Sequence, residues 1–138
     1  MILIDTNIIV YAAGTPHPYK EACNRILAEE SSGGGRFTID VETLQEVLHV
    51  YSARHERQRG FETFDDLLRI FPNPIPIQRS EAAIARELME RYTGLTARDA
   101  LHAAVVIVHS LEGIASADSA FGQISGLKRF DPLELYPS

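Results

Sequence analysis

Apolar residues fall into two kinds of run along the chain. Short blocks appear at Ile2-Leu3-Ile4, Phe37-Thr38-Ile39, Ile75-Pro76-Ile77, Gly113-Ile114-Ala115-Ser116 and Leu127 to Phe130. Runs this short, rich in β-branched residues and bounded by polar or turn residues, predict strands. Pro74 and Pro76 lack a backbone donor, which pushes the third block to a sheet edge or to partial pairing. Between the blocks the period lengthens. Tyr19 to Ala28, Phe61 to Phe71 and Ala82 to Tyr92 carry apolar residues at helical spacing, and Val41, Leu44, Leu48 and Tyr51 form an i, i+3, i+7, i+10 stripe. Ala100 to Leu111 is apolar nearly all round, which predicts a buried helix. Strands that alternate with helices need crossover connections. The expected fold class is therefore α/β, a mainly parallel four- or five-stranded sheet covered on both faces.

Length and composition narrow the picture. The 138 residues suit one domain, expected over 1–138, and no internal repeat is visible. With 45% hydrophobic and 23% charged residues the chain reads as an ordinary globular protein. Nineteen acids against 13 bases give a formal net charge of −6. That argues against coating nucleic acid by charge alone, but it leaves room for an enzyme that touches a few phosphates. The lone Cys23 excludes an internal disulfide and suits a reducing compartment. Asp5 cuts the first apolar run short with no basic segment before it, so no signal peptide is expected. The longest run without a polar residue, Ala103 to Val108, is far below the roughly 20 residues of a membrane span. The expected location is cytoplasmic, with no membrane partner.

Acidic residues carry the chemistry. Ligands of parallel sheets sit beyond the carboxyl ends of the strands, and two predicted strands run into aspartate there. Asp5 follows the first block, and Asp118 follows Ile114 to Ala117. Asp99 stands in the first turn of the apolar helix, and Glu46 lies within the helix after the second strand. If the first and fourth strands are neighbours, Asp5, Asp118 and the start of the Asp99 helix meet at one edge. Each acid also has an ordinary role open to it. Asp5 fits a cap for Thr6 to Ala13, Thr96 and Asp99 fit a capping box, and Asp118 fits a cap for a short helix through Phe121 to Ile124. Glu46 falls away from the Leu44, Leu48 and Tyr51 stripe, where a glutamate is ordinarily solvated. Those roles explain the acids singly and leave their convergence unexplained. Convergent carboxylates repel and take up protons unless a cation holds them. A hard divalent ion with oxygen ligands, Mg2+ or Mn2+, meets that need and can activate water toward a phosphodiester. Zinc is disfavoured, since the five histidines form no HExxH pattern and Cys23 stands alone.

Four segments together resemble a known family, the PIN domain, and in particular the VapC-type ribonuclease toxins of bacterial toxin–antitoxin pairs. They are Ile2-Leu3-Ile4-Asp5-Thr6-Asn7, Leu44-Gln45-Glu46-Val47, Ala97-Arg98-Asp99-Ala100-Leu101-His102-Ala103-Ala104, and Ile114-Ala115-Ser116-Ala117-Asp118-Ser119-Ala120-Phe121. Phe130-Asp131-Pro132 is similar to the family's closing strand. The resemblance implies a three-layer α/β/α fold and an endoribonuclease that hydrolyses RNA with metal-activated water. It further implies that Asp5, Glu46, Asp99 and Asp118 form the catalytic, metal-binding site for Mg2+ or Mn2+. Thr6 or Asn7, with Ser116, would orient those carboxylates. It also implies a homodimer held inactive by a small antitoxin protein. Glu42, one turn before Glu46, competes for the second place, and Ser119 and Ala120 stand where some relatives carry a further acid, which leaves one metal or two open.

Other features stay divided between chemistry and structure. Arg54 to Arg59 reads either as a phosphate contact or as cations complementing a helix C-terminus. Arg98 is a candidate RNA phosphate contact. His102 reads as a buried, hydrogen-bonded histidine, with contact to substrate as the alternative. The Phe61, Phe64, Leu67, Leu68 and Phe71 stripe reads as core, or in part as a groove for a partner's helix. Two other functions compete. A phosphatase of the haloacid dehalogenase type also begins with a strand ending in aspartate, but it wants a second aspartate where this chain has Asn7. A non-enzymatic module on the same fold is the other.

Overall fold

The computed structural model describes residues 1–137; Ser138, the last residue of the expected single domain, lies outside the described residues. Four short strands, β1 (Ile2–Ile4), β2 (Phe37–Thr38), β3 (Gly113–Ala115) and β4 (Arg129–Phe130), form one sheet in the order β2-β1-β3-β4. Every neighbouring pair is parallel. The expected third strand shrinks to a single bridge, Asp40 to Ile75. Pro74 and Pro76 flank Ile75 and leave it alone able to donate, to the Ile39 carbonyl at 2.9 Å.

The first strand sorts the core into two. Successive side chains of a strand point to opposite faces, so Ile2 and Ile4 join one apolar cluster while Leu3 joins the other. The first cluster is built with helices α1 (Thr6–Ala13), α2 (Lys20–Ser31), α3 (Val41–Ala53) and α4 (Arg57–Ile70). The second is built with α5 (Arg79–Arg91) and α6 (Ala97–Val108), together with Phe121, Ile124 and Leu127. Helices thus cover both faces, and the three-layer α/β/α expectation holds. A short α7 (Pro132–Leu135) follows β4.

Three patterning expectations need correction. In the α3 stripe Val41 is 44% exposed, while Val47 is fully buried and Glu46 is only 6% exposed. Leu44 and Tyr51 are buried as expected, but the buried face of α3 is wider than the stripe and takes in Glu46, whose Oε1 meets His102. On α4, Leu67 and the following Phe71 are buried, but Phe61 and Leu68 face outward. The α6 helix is enclosed only up to Val106, and Ile107 and Val108 are exposed.

The basic stretch is also not one helix end. Arg54 closes α3, His55 takes a left-handed backbone with φ 58°, and Arg57 opens α4. Its cations therefore do not all complement one helix C-terminus.

At the far side of the sheet Gly113 touches β4 so closely that an added Cβ would lie 2.2 Å from the Lys128 carbonyl oxygen. That approach lets Ile114 donate to the same carbonyl at 2.9 Å and Ser116 donate to Phe130 at 3.1 Å. Pairing of β3 with β4 therefore fixes the backbone that leads into Ser116.

Candidate active site

Each of the four strands is followed by an aspartate at the same edge of the sheet: Asp5, Asp40, Asp118 and Asp131. A parallel sheet makes this a common edge, because all four chains leave it in one direction. The first three are drawn into one network. Asp131 instead caps α7 through Leu133 and lies 3.5 Å from Arg129.

Ser116 is the hub beside Asp5. Its hydroxyl donates to Asp5 Oδ2 at 2.6 Å and accepts from Asn7 Nδ2 at 3.3 Å and the Asp118 amide at 2.9 Å. Asn7 also accepts from the Ala117 amide at 3.5 Å, which fastens the loop that presents Asp118. Of the two residues expected to orient the carboxylates from the start of α1, Asn7 takes that position. The Thr6 hydroxyl points to Thr43 at 3.5 Å and links α1 to α3.

The ordinary roles of the acids are met unevenly. Asp5 occupies the N-cap position of α1 yet makes no capping hydrogen bond. Asp118 does cap, accepting from the Ala120 amide at 2.9 Å. Thr96 accepts from the Asp99 amide at 3.2 Å, so the forward half of the expected capping box is present. Glu46 is not solvated: its Oε1 faces His102 Nε2 at 2.8 Å, and its Oε2 lies 4.0 Å from Arg98 Nη1.

His102 is fully enclosed and therefore out of reach of any substrate. Its Nδ1 donates to Asp40 Oδ2 at 2.7 Å, its Nε2 faces Glu46, and Asp5 Oδ1 is 3.8 Å away. Burial pulls the imidazole pKa down, but the charge and hydrogen bond of Asp40, the Glu46 hydrogen bond and the Asp5 charge together hold it well above its ordinary value. Both ring nitrogens face carboxylate oxygens, the arrangement that favours the protonated ring.

The carboxylates around it are strained toward protonation. Asp5 is pushed up to about 6, chiefly by burial, with the His102 charge and the Ser116 hydrogen bond opposing and the charges of Asp99 and Glu46 adding to it. Asp99 is raised as well, first by burial and then by the charges of Asp118 and Glu46 against the Thr96 bond. Glu42 is raised by burial and by Glu46.

Asp5, Glu46, Asp99 and Asp118 line one cavity of about 310 Å³, with Thr6, Asn7, Tyr11, Arg54 and Arg98 around it. Glu42 does not line it. A larger cavity of about 550 Å³ along α2 holds no comparable set, with Glu21 its only acid. All four expected acids are thus brought together. Among the described residues no three His, Cys, Asp or Glu side chains already meet as a closed ligand set. The donor chemistry nevertheless fits a hard divalent ion. Mg2+ keeps several waters and takes one or two carboxylates plus phosphate oxygens, so an open, all-oxygen pocket suits it better than a tight cage. The carboxyls of Asp5 and Asp99 are raised, first by burial and then by neighbouring acids, so a cation bound there would offset that cost.

Asp40 was not among the sequence candidates. Its signal was available, since it follows the second strand as Asp5 follows the first, but a residue just ahead of a helical stripe reads as a plain cap. It does cap α3, accepting from the Thr43 amide at 3.1 Å.

Comparison with known proteins agrees with this geometry. Residues 2–127 match the PIN domain family model. The chain is 40% identical over 129 residues to ribonuclease VapC13 of Mycobacterium tuberculosis, covering 94% of this chain and 98% of that one. Among solved structures it superposes on FitAcB from Neisseria gonorrhoeae with a TM-score of 0.72 at 23% identity, covering 96% and 98% of the two chains. A toxin–antitoxin complex from Klebsiella pneumoniae gives a TM-score of 0.67 at 23% identity, again over 96% of this chain and 98% of the other. Sequence and fold together place the chain in the PIN domain family, among the VapC ribonucleases.

Proposed function

We propose that this protein is a Mg2+- or Mn2+-dependent endoribonuclease and the toxin of a toxin–antitoxin pair. The observation that carries this reading is the gathering of Asp5, Glu46, Asp99 and Asp118 on one cavity at the carboxyl edge of a parallel sheet. The same cavity carries two cations at its rim, Arg54 and Arg98.

Asp5, Asp99 and Asp118 would hold the ion, with Glu46 completing the set. A bound divalent ion supplies activated water and neutralises charge on the phosphoryl oxygens. The protein's own part is orientation. Ser116 and Asn7 fix the direction of the Asp5 carboxylate and the approach of Asp118. Arg98, half exposed beside Glu46, is positioned to meet a backbone phosphate and hold the scissile bond over the acids. No side-chain nucleophile is required, and the pocket offers neither serine nor cysteine among its lining residues.

The partners follow from the relatives and from the surface. VapC13 is named a ribonuclease, and the Klebsiella structure is titled a toxin–antitoxin complex. An antitoxin segment has a seat in the cleft lined by Ile9, Leu27, Leu67 and Ile70. A homodimer of the full chain and a cytoplasmic location complete the proposal. No helix among the described residues is long and apolar enough to cross a membrane.

Induced expression in a bacterial host, wild type against Asp99→Asn, with mapping of new RNA 5′ ends, tests this directly. Growth arrest with discrete cuts in the wild type alone is the expected result. Soluble wild-type protein that neither arrests growth nor cuts RNA would overturn the reading.

A further inference from the structure

Three buried groups do nothing in the mechanism as stated: Asp40, His102 and the inward oxygen of Glu46. We infer that Asp40 and His102 are a positioning pair that aims Glu46 at the reaction, an assignment that rests on the nuclease reading above.

The geometry is a single file of hydrogen bonds. Asp40 is held first, at the N-cap of α3, where its Oδ1 accepts from the Thr43 amide at 3.1 Å and faces the Thr43 hydroxyl at 3.4 Å. A parallel bridge to Ile75 pins its backbone as well. Its other oxygen, Oδ2, accepts from His102 Nδ1 at 2.7 Å. That bond fixes the ring plane on α6, and the opposite nitrogen then meets Glu46 Oε1 at 2.8 Å. Asp40, His102 and Glu46 are all buried, so the file is shielded from water along its length.

Its effect falls on the outer oxygen of Glu46. A glutamate has three side-chain torsions, and a buried, unanchored one would hold no single direction and would tend to lose its charge beside Asp5. With Oε1 held by His102, Oε2 is left directed at the cavity and at Arg98, 4.0 Å away. The arrangement resembles in principle the outer hydrogen bonds by which proteins orient metal ligands, whose loss costs roughly 10–100-fold in affinity or activity. His102 touches neither RNA nor solvent, so any influence it has must pass through Glu46 and, more weakly, Asp5.

That restriction supplies the test. Purified wild type, His102→Gln, Asp40→Asn, Glu46→Gln and the His102→Gln/Glu46→Gln double variant are compared by calorimetric titration with Mn2+ and by steady-state RNA cleavage. His102→Gln is expected to lower kcat and weaken Mn2+ binding by about 10-fold or more, while the KM for RNA stays within about 2-fold. In the Glu46→Gln background the same change should add less than about 2-fold, because two residues acting in one line are not additive. Asp40→Asn keeps an oxygen for the Thr43 amide and serves if His102→Gln fails to fold, with the same direction and a smaller size expected. A folded variant with unchanged kcat and Mn2+ affinity, or a His102→Gln effect of full size in the Glu46→Gln background, would overturn the role. Wild type that neither binds Mn2+ nor cuts RNA would instead overturn the nuclease reading, and this role with it.

Discussion

Replacing Asp5 by asparagine should abolish cleavage and, in metal-free buffer, make the protein more stable. Asp5 is 5% exposed, and its carboxyl is raised from 3.8 to about 6 in the folded chain. The sign follows from proton linkage. The folded state holds a proton that the unfolded state has released, so between pH 4 and 6 stability falls as pH rises. Below 3.8 both states are protonated and the group costs nothing; above about 6 the whole penalty applies. A shift of about 2 units corresponds to roughly 3 kcal/mol at pH 7.5. The raised value already includes the attraction of His102 and the Ser116 bond, both of which oppose it, so the net charge is a burden without an ion. Asparagine keeps the shape and an oxygen for the Ser116 hydroxyl. Thermal melts in EDTA across pH 4 to 8 read the difference between variant and wild type. The gain should be roughly 2–3 kcal/mol at pH 7.5, or on the order of 10 °C in Tm, and well under 1 kcal/mol at pH 4. Mn2+ should then raise the wild-type Tm and leave the variant nearly unmoved. A variant less stable than wild type at pH 7.5 in EDTA, or a gain independent of pH, would refute the reasoning.

Three further outcomes are expected. Glu46→Gln should lower cleavage by more than about 100-fold, the upper end of what an outer partner costs, whereas Glu42→Gln should leave it within about 3-fold; equal effects would reassign the second acid. Arg98→Ala should raise the KM for RNA about 5-fold with little change in kcat, the scale of an exposed ion pair worth about 1 kcal/mol, as measured by steady-state cleavage. Gly113→Ala should cost about 2 kcal/mol or more, because its Cβ has no room against the Lys128 carbonyl and β4 must move; thermal denaturation reads the loss.

The sheet was legible because its strands are short apolar blocks, each broken by a turn or an acid, and such blocks have one reading in an alternating chain. Asp5 and Asp118 were legible for a related reason: in a parallel sheet, the residue after a strand has a known address, whereas Asp99 and Glu46 stand on helices and joined the set through the family resemblance. What the pattern hid was the inside of α3. Leu48 and Val41 fit a stripe that Val47 and Glu46 in fact occupy, and a glutamate scores as polar whether or not a histidine 56 residues later meets it. Asp40 was hidden by its second role, since a cap explains an aspartate completely at the level of sequence. The break between α3 and α4 carries neither glycine nor proline, and a left-handed His55 gives no local sign. Phe61 and Leu68 were misplaced because an apolar stripe does not say what will cover it.

The strand order has a consequence for synthesis. Of the two central strands, β1 is made well before β3, with all six long helices between them. Asp5 meets Ser116 across 111 residues. Contacts this distant in sequence must await loop closure and form slowly. A nascent chain therefore carries its first acid long before it has a pocket, and a prematurely terminated one never acquires it. For a protein proposed to cut the cell's RNA, β3 and the loop that carries Asp118 must be made before the product can do harm.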